Sequence, residues 1–345
     1  MRQPERRRRP RPLAPILLAL VLLAGAGAAA AQAGSNAGRF DAAWDLVATR
    51  YWHLERTGVD WDQVRADYRP RAVEAPDDAA LYALLEEMYS LLGDDHSVFV
   101  PPDRVAEVRA EYGDLPCVML LGAASGGRAT AAAALPLLAR AQGAVVPLTD
   151  EARLANVRYG VAAAGVGYVR LPDLASDGAA AAVRTAVTAL ESAGVGALVL
   201  DLRGNPGGRL VTMMQVAGVF TSGFIWRTIT SWTLPLPYPA IGLTHTDLPL
   251  VVLIDGGVNS AAEGLAGGLQ QRGRAVVVGE RSAGNVEALL PFCLRDGSQA
   301  WIATGVLAPI GGPTWEGRGV EPDVAATSDA ALAAALAYLA SLKGE

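Results

Sequence analysis

The chain has 345 residues, 51% of them hydrophobic, enough for a sizeable core in one large domain or two modest ones. Its formal charge is −6; residues 1–33, with six arginines and one glutamate, contribute +5, and the rest carries −11. That balance argues against a nucleic-acid partner, which calls for a basic face, and the two cysteines, Cys117 and Cys293, fit no metal-ligand spacing.

The first element is a leader. A basic stretch, "MRQPERRRRPRP", precedes the apolar run "LAPILLALVLLAGAGAAAAQAG", which ends in the A-x-A-like "AQA" at residues 31–33. This is the pattern of a secretory signal peptide over residues 1–33. A retained anchor through residues 13–31 is the alternative, but the strong apolar core from Ile16 to Leu23 is too short to span a bilayer. The expected location is extracytoplasmic, secreted or periplasmic, with membrane attachment only through this segment. Outside the cytoplasm Cys117 and Cys293 can pair; two buried thiols is the other reading.

Residues 34–103 read as a helical region. "FDAAWDLVATRYW" and "DWDQVRADYRPRA" carry apolar residues at helical spacing, and "PDDAALYALLEEMYSLLG" opens on aspartate caps and stops at a glycine. Residues 104–160 form a short, Ala-rich insert in which only a helix over residues 129–142 is expected. From Val166 onward strands and helices alternate. "VGYVRL", "GALVLDLR", "LPLVVLID" and "RAVVVGE" are strands, and the stretches between them include three helices. Alternation of this kind predicts an α/β core over residues 161–330 with a sheet buried on both faces. Short strands ("LPFCL", "QAWIATG") then give a β-rich C-terminal part before a helix at residues 331–345.

Three stretches can carry chemistry. Ser260, in "GGVNSAAEG", sits where a strand hands over to a helix, so free N–H groups and the helix dipole favour negative charge beside its hydroxyl. It is either a nucleophile, with the Ala261 N–H as one oxyanion donor, or an N-cap paired with Glu263 in a capping box. "LVLDLRGNPGG" places Gly207 and Gly208 at another helix start. They offer further oxyanion donors, or the stretch is a plain turn braced by Asp201 and Arg203. It lacks the Lys-Ser/Thr and glycine spacing of phosphate loops. In "LLGDDHSVFVPP", His96 is either a general base beside acidic neighbours or a surface residue. His53 and His245 have less to recommend them, and the one lysine, Lys343, lies at the C-terminus.

Taken together, "LVLDLRGNPGG", "NSAAEGLAGGLQQRGRAVVVGE" and "GRGVEPDV" resemble the C-terminal processing, or tail-specific, serine proteases over nearly the whole chain after the leader. The resemblance implies a crotonase-like (ClpP/crotonase) βαβ spiral core and an endopeptidase cutting extended or unfolded polypeptides without metal or organic cofactor. It places the nucleophile at Ser260. Many members use a lysine base in the turn after the "VGE" strand, where this chain has Asn285. The tricorn-like branch uses a histidine and a glutamate instead, matched by His96 and Glu316. Glu316 is the expected partner of His96 and Asp95 the second choice. A complete PDZ domain, common in the family, is not expected within residues 104–160. Other functions open to the same core are a non-catalytic ligand-binding protein and a hydrolase of small esters or amides. Substrate-binding residues and oligomeric state are not legible.

Overall fold

The computed structural model describes residues 35–94, 96–112, 118–119, 147–163, 165–243 and 245–342. The leader, most of the Ala-rich insert with its expected helix, Asp95 and Cys117 lie outside the described residues.

Three helices open the described chain: α1 (Asn36–Arg50), α2 (Trp61–Val73) and α3 (Asp78–Ser90). Each begins on a side-chain cap: Ser35, Asp60 and Asp77 accept the N–H groups of Gly38, Gln63 and Ala80. Their apolar faces bury Phe40, Trp44, Val47, Trp61, Leu81 and Met88 in one cluster. α1 stops at Arg50 because Tyr51 turns extended, and the next N–H, of Trp52, bonds the Ala303 carbonyl at 3.0 Å. The helical unit is thereby fixed to the sheet behind it.

After α3 come β1 (Val98–Val100), α4 (Pro102–Tyr112) and β2 (Val118–Met119). The core follows, with strands β3 (Thr149–Leu154), β4 (Val157–Ala163), β5 (Val166–Arg170) and β6 (Ala197–Asp201). Helix α5 (Ala179–Ser192) connects β5 to β6, and α6 (Leu210–Ala217) follows β6. Next are β7 (Gly223–Ile229), β8 (Leu236–Ala240), β9 (Leu250–Ile254), α7 (Ala261–Gln271) and β10 (Val276–Gly279). The chain ends with β11 (Glu287–Cys293), β12 (Gln299–Pro309), β13 (Val324–Ala325) and α8 (Ala331–Ser341).

Seven strands form one sheet in the order β13-β10-β9-β6-β5-β4-β3, parallel from β13 to β5 and antiparallel beyond. Its period of two is visible in β9: Leu250, Val252 and Ile254 face the helices α5 to α7, while Val251 and Leu253 face α8. β3 and the first half of β4 lie in the stretch read as insert, so this sheet begins at Thr149 rather than near residue 161. The polar, largely exposed β3 ("TDEARL") gives no apolar signal by which to find it.

The second sheet runs β2-β11-β12-β7-β8, with β1 also on β12. α7 lies between the two sheets, and its glycines explain how. A Cβ on Gly264 would lie 2.3 Å from Leu307, and one on Gly268 2.3 Å from the indole nitrogen of Trp226. The Trp226 Nε1–H donates to the Gly264 carbonyl at 2.7 Å. The helix gives up propensity at these positions to let the second sheet approach. The outer strand of that sheet, β8, carries Pro237 and Pro239 opposite Arg227 and Phe224 of β7. A proline cannot serve a hydrogen-bonded pair, so both occupy positions whose amides face away from β7.

Candidate active site

The N-terminus of α7 meets the turn after β6 and the start of β11 around Ser260. Ser260 adopts φ 55° and ψ −126°, a conformation that L-residues rarely hold and that clusters at functional sites. Its N–H donates to the Asn285 carbonyl at 2.9 Å and its carbonyl accepts from Gly264. Its hydroxyl makes no capping bond. Glu263 does not reach back in a capping box either: its buried carboxylate accepts the N–H groups of Gly284 and Asn285. Burial pushes its carboxyl up to about 7 against those bonds. The small residues around Ser260 thus serve close approach. A Cβ on Gly207 would lie 2.8 Å from the Cβ of Ser260 and 2.8 Å from the Asn259 carbonyl oxygen.

Gly207, expected as an oxyanion donor, is not free. Its N–H donates to Asn205 Oδ1 at 2.8 Å, because the Gly-Asn-Pro-Gly-Gly turn closes on its own asparagine. Gly208 and Ala261 line a pocket together with Ser260, and among the described residues their N–H groups meet no acceptor. The Asp201–Arg203 pair is present and buried, with Tyr168 donating to the same carboxylate, and braces the strand end.

His96 follows α3 in a loop shaped by Asp94, whose carboxylate accepts the N–H groups of His96 (2.8 Å) and Ser97. The Ser97 hydroxyl accepts the N–H of Ala303 on β12, tying the loop to the second sheet. The imidazole lines the pocket that Ser260 lines. Its Nδ1 lies 3.0 Å from Glu287 Oε2, and both side chains are 7% exposed. The other Glu287 oxygen accepts the indole N–H of Trp52 at 2.9 Å. Burial works against a charged His96, but the hydrogen bond and charge of Glu287, with Asp94 and Glu316 nearby, outweigh it and raise its pKa.

The carboxylate at His96 is therefore Glu287, not the expected Glu316. Glu316 is engaged elsewhere, accepting the N–H of Val286 at 2.7 Å. It holds the residue before Glu287 and adds negative charge to the cluster; burial first, then the Glu287 charge, raise its own pKa. Asp95 is outside the described residues. Glu287 had a signal: it is the one charged residue in an otherwise apolar strand, two positions after Asn285. Asn285 contributes its backbone only, N–H to Glu263 and carbonyl to Ser260. His53 pairs with the exposed Glu55 and does not line the pocket, nor does His245.

The pocket measures about 160 Å³ and is walled by Leu210, Trp232, Leu236, Leu289 and Leu307, with the hydroxyls of Thr228, Thr230 and Thr304. Ser260, His96 and Glu287 line this same pocket. Among the described residues no cluster of side chains is arranged to hold a metal ion.

Comparison with known proteins follows the same division. Residues 165–326 match the model of peptidase family S41, and residues 35–90 that of the tricorn protease C1 domain. The carboxyl-terminal-processing protease of Picosynechococcus sp. is 37% identical over 134 residues, 39% of this chain and 32% of that protein. Carboxyl-terminal-processing peptidase 3, chloroplastic, of Arabidopsis thaliana is 33% identical over 189 residues, 54% of this chain and 34% of that protein. The chain thus matches about a third of the length of these relatives. The solved structure of the photosystem II D1 C-terminal processing protease superposes with TM-score 0.63 at 22% identity, covering 86% of this chain and 94% of that one. Mature CPAF gives 0.58 at 14% identity, covering 90% and 96%. The fold is the crotonase-like α/β class with an N-terminal helical region and a β-rich C-terminal part. The chain belongs to the C-terminal processing protease family, peptidase family S41.

Proposed function

We propose that the chain is an exported serine endopeptidase that cuts extended or unfolded polypeptides through an acyl-enzyme. One observation carries the reading: Ser260, strained and with its hydroxyl uncommitted, lines the same pocket as a histidine whose far nitrogen rests on a buried carboxylate.

With Nδ1–H held by Glu287, the His96 lone pair lies on Nε2, toward the pocket. Nε2 takes the Ser260 proton as Oγ attacks the scissile carbonyl. The resulting oxyanion is received by the N–H groups of Gly208 and Ala261, each contributing roughly 3 kcal/mol. His96 then returns the proton to the leaving amine, and water repeats the sequence to free the acid. Asn285 cannot replace His96, since an amide takes no proton at neutral pH. Glu316 supports the site through β11.

Labelling of Ser260 by a fluorophosphonate tests the nucleophile, and a panel of peptides against small esters tests the substrate class. A chain that never labels is a binding protein. One that labels but hydrolyses small esters and no peptides is an esterase.

Export is supported by the leader and by Cys293, which is disulfide-bonded, a state that persists in oxidising compartments. Among the described residues no helix is long and apolar enough to cross a membrane. Cell fractionation with N-terminal sequencing decides whether residues 1–33 are removed.

A further inference from the structure

The carboxylate at His96 is itself held from the opposite side. Glu287 has a 7% exposed side chain, and among the described residues His96 is its only ion-pair partner. A buried carboxylate in that position needs hydrogen-bond donors. Its second donor comes from the N-terminal helical unit: the Trp52 Nε1–H bonds Oε1 at 2.9 Å while Oε2 faces His96 Nδ1. Trp52 is in turn fixed, by its backbone N–H on Ala303 of β12, and its ring packs 4.9 Å from the ring of His53 with the Arg56 guanidinium over it. Ala303 pairs with Leu289, so the donor is anchored to the strand adjacent to the one that carries Glu287.

We propose that Trp52 is a positioning residue for the His96 base, its indole N–H fixing both the orientation of the Glu287 carboxylate and the tautomer of the imidazole. The inference rests on the assignment of His96 and Ser260 made above. An indole N–H donates only. Oε1 must therefore accept, an ionised Glu287 leaves Oε2 accepting as well, and the proton of the neutral imidazole belongs on Nδ1. The lone pair is then on Nε2, where Ser260 needs it. Without the indole, the carboxylate is free to rotate and to gather its charge on the imidazolium. The other charged groups acting on His96 are Asp94 of its own loop and Glu316 in the loop before β13, which are acceptors, and the phenol of Tyr51 at the end of α1 is directed to Asp94, so none replaces that donor.

The test is the rate of fluorophosphonate labelling at Ser260 against pH in the full chain. It needs the wild type, Trp52→Phe, Glu287→Gln, the double variant, and Trp44→Phe. Trp44→Phe is the control, because it removes an indole bond of the same helical unit, to the Trp61 carbonyl at 2.8 Å, that does not reach the site. Trp52→Phe is expected to slow labelling about ten- to a hundredfold and move the midpoint to higher pH, with kcat falling and KM unchanged in peptide hydrolysis. In the Glu287→Gln background it should cost nothing more. A Trp52→Phe profile that superposes on the wild type overturns the inference alone. So does an equal loss in Trp44→Phe, or a full additional loss in the double variant. A wild type that never labels overturns the Ser260 assignment and this inference with it.

Discussion

Glu287 Oε2 lies 3.0 Å from His96 Nδ1, joining side chains 191 positions apart in the sequence. In the proposed mechanism this contact sets the pH at which His96 can act as the base. Burial opposes the imidazolium but the neighbouring carboxylates prevail, so His96 titrates above its ordinary value of about 6.5. In that mechanism the neutral ring is the competent form, and kcat/KM is expected to rise with pH in one step centred above about pH 6.5. Glu287→Gln removes the charge and leaves burial unopposed by it, so the step should move down while the rate falls. Glu316→Gln should move it in the same direction by less, because Glu316 is committed to Val286. A wild-type step above about pH 9 points to another base.

Ser260→Ala should abolish hydrolysis at little cost in stability. Losing a capping serine typically costs about 1 kcal/mol, and the Ser260 hydroxyl makes no capping bond to lose. Thermal unfolding beside a peptide assay checks both halves; retained activity would place the nucleophile elsewhere.

Gly207→Ala should disable the site without touching a reacting group. The new Cβ would meet the Asn259 carbonyl and the Ser260 Cβ at 2.8 Å, and φ is 96° there. A cost of about 1–3 kcal/mol in stability, with slowed labelling of Ser260, is expected. Wild-type labelling would show that the turn and Ser260 are not tightly packed.

Introducing Asn285→Lys into a His96→Ala variant should not restore activity. Asn285 contributes backbone bonds and is not among the residues lining the pocket. Recovery of peptide hydrolysis would show that the turn can present a base to Ser260.

Much of this architecture was legible. Buried strands such as "LVVLI" show as continuous apolar runs and helices such as α5 by their period, and Ser260 and His96 stood out by position and by the scarcity of histidine. The partner of His96 was not legible, because it depends on how β11 and β12 place residue 287 against the loop after α3. A motif comparison favoured Glu316, which has the right neighbourhood and a different bond. Gly207 misled because a turn's N–H groups look free until Asn205 is seen to take one. β3 and β8 escaped notice because one is polar and the other has proline at two of its five positions.

The prolines of β8 have a consequence for any extended chain that meets this flank. Extended polypeptide is the very material that adds itself to an open sheet margin, and here the margin adjoins the pocket through Leu236 and Tyr238. At Pro237 and Pro239 that margin can accept hydrogen bonds but cannot give them, so an incoming strand finds half a ladder. Chains can touch this flank through their side chains and slide away. The prolines thereby weaken this margin as a template for strand addition.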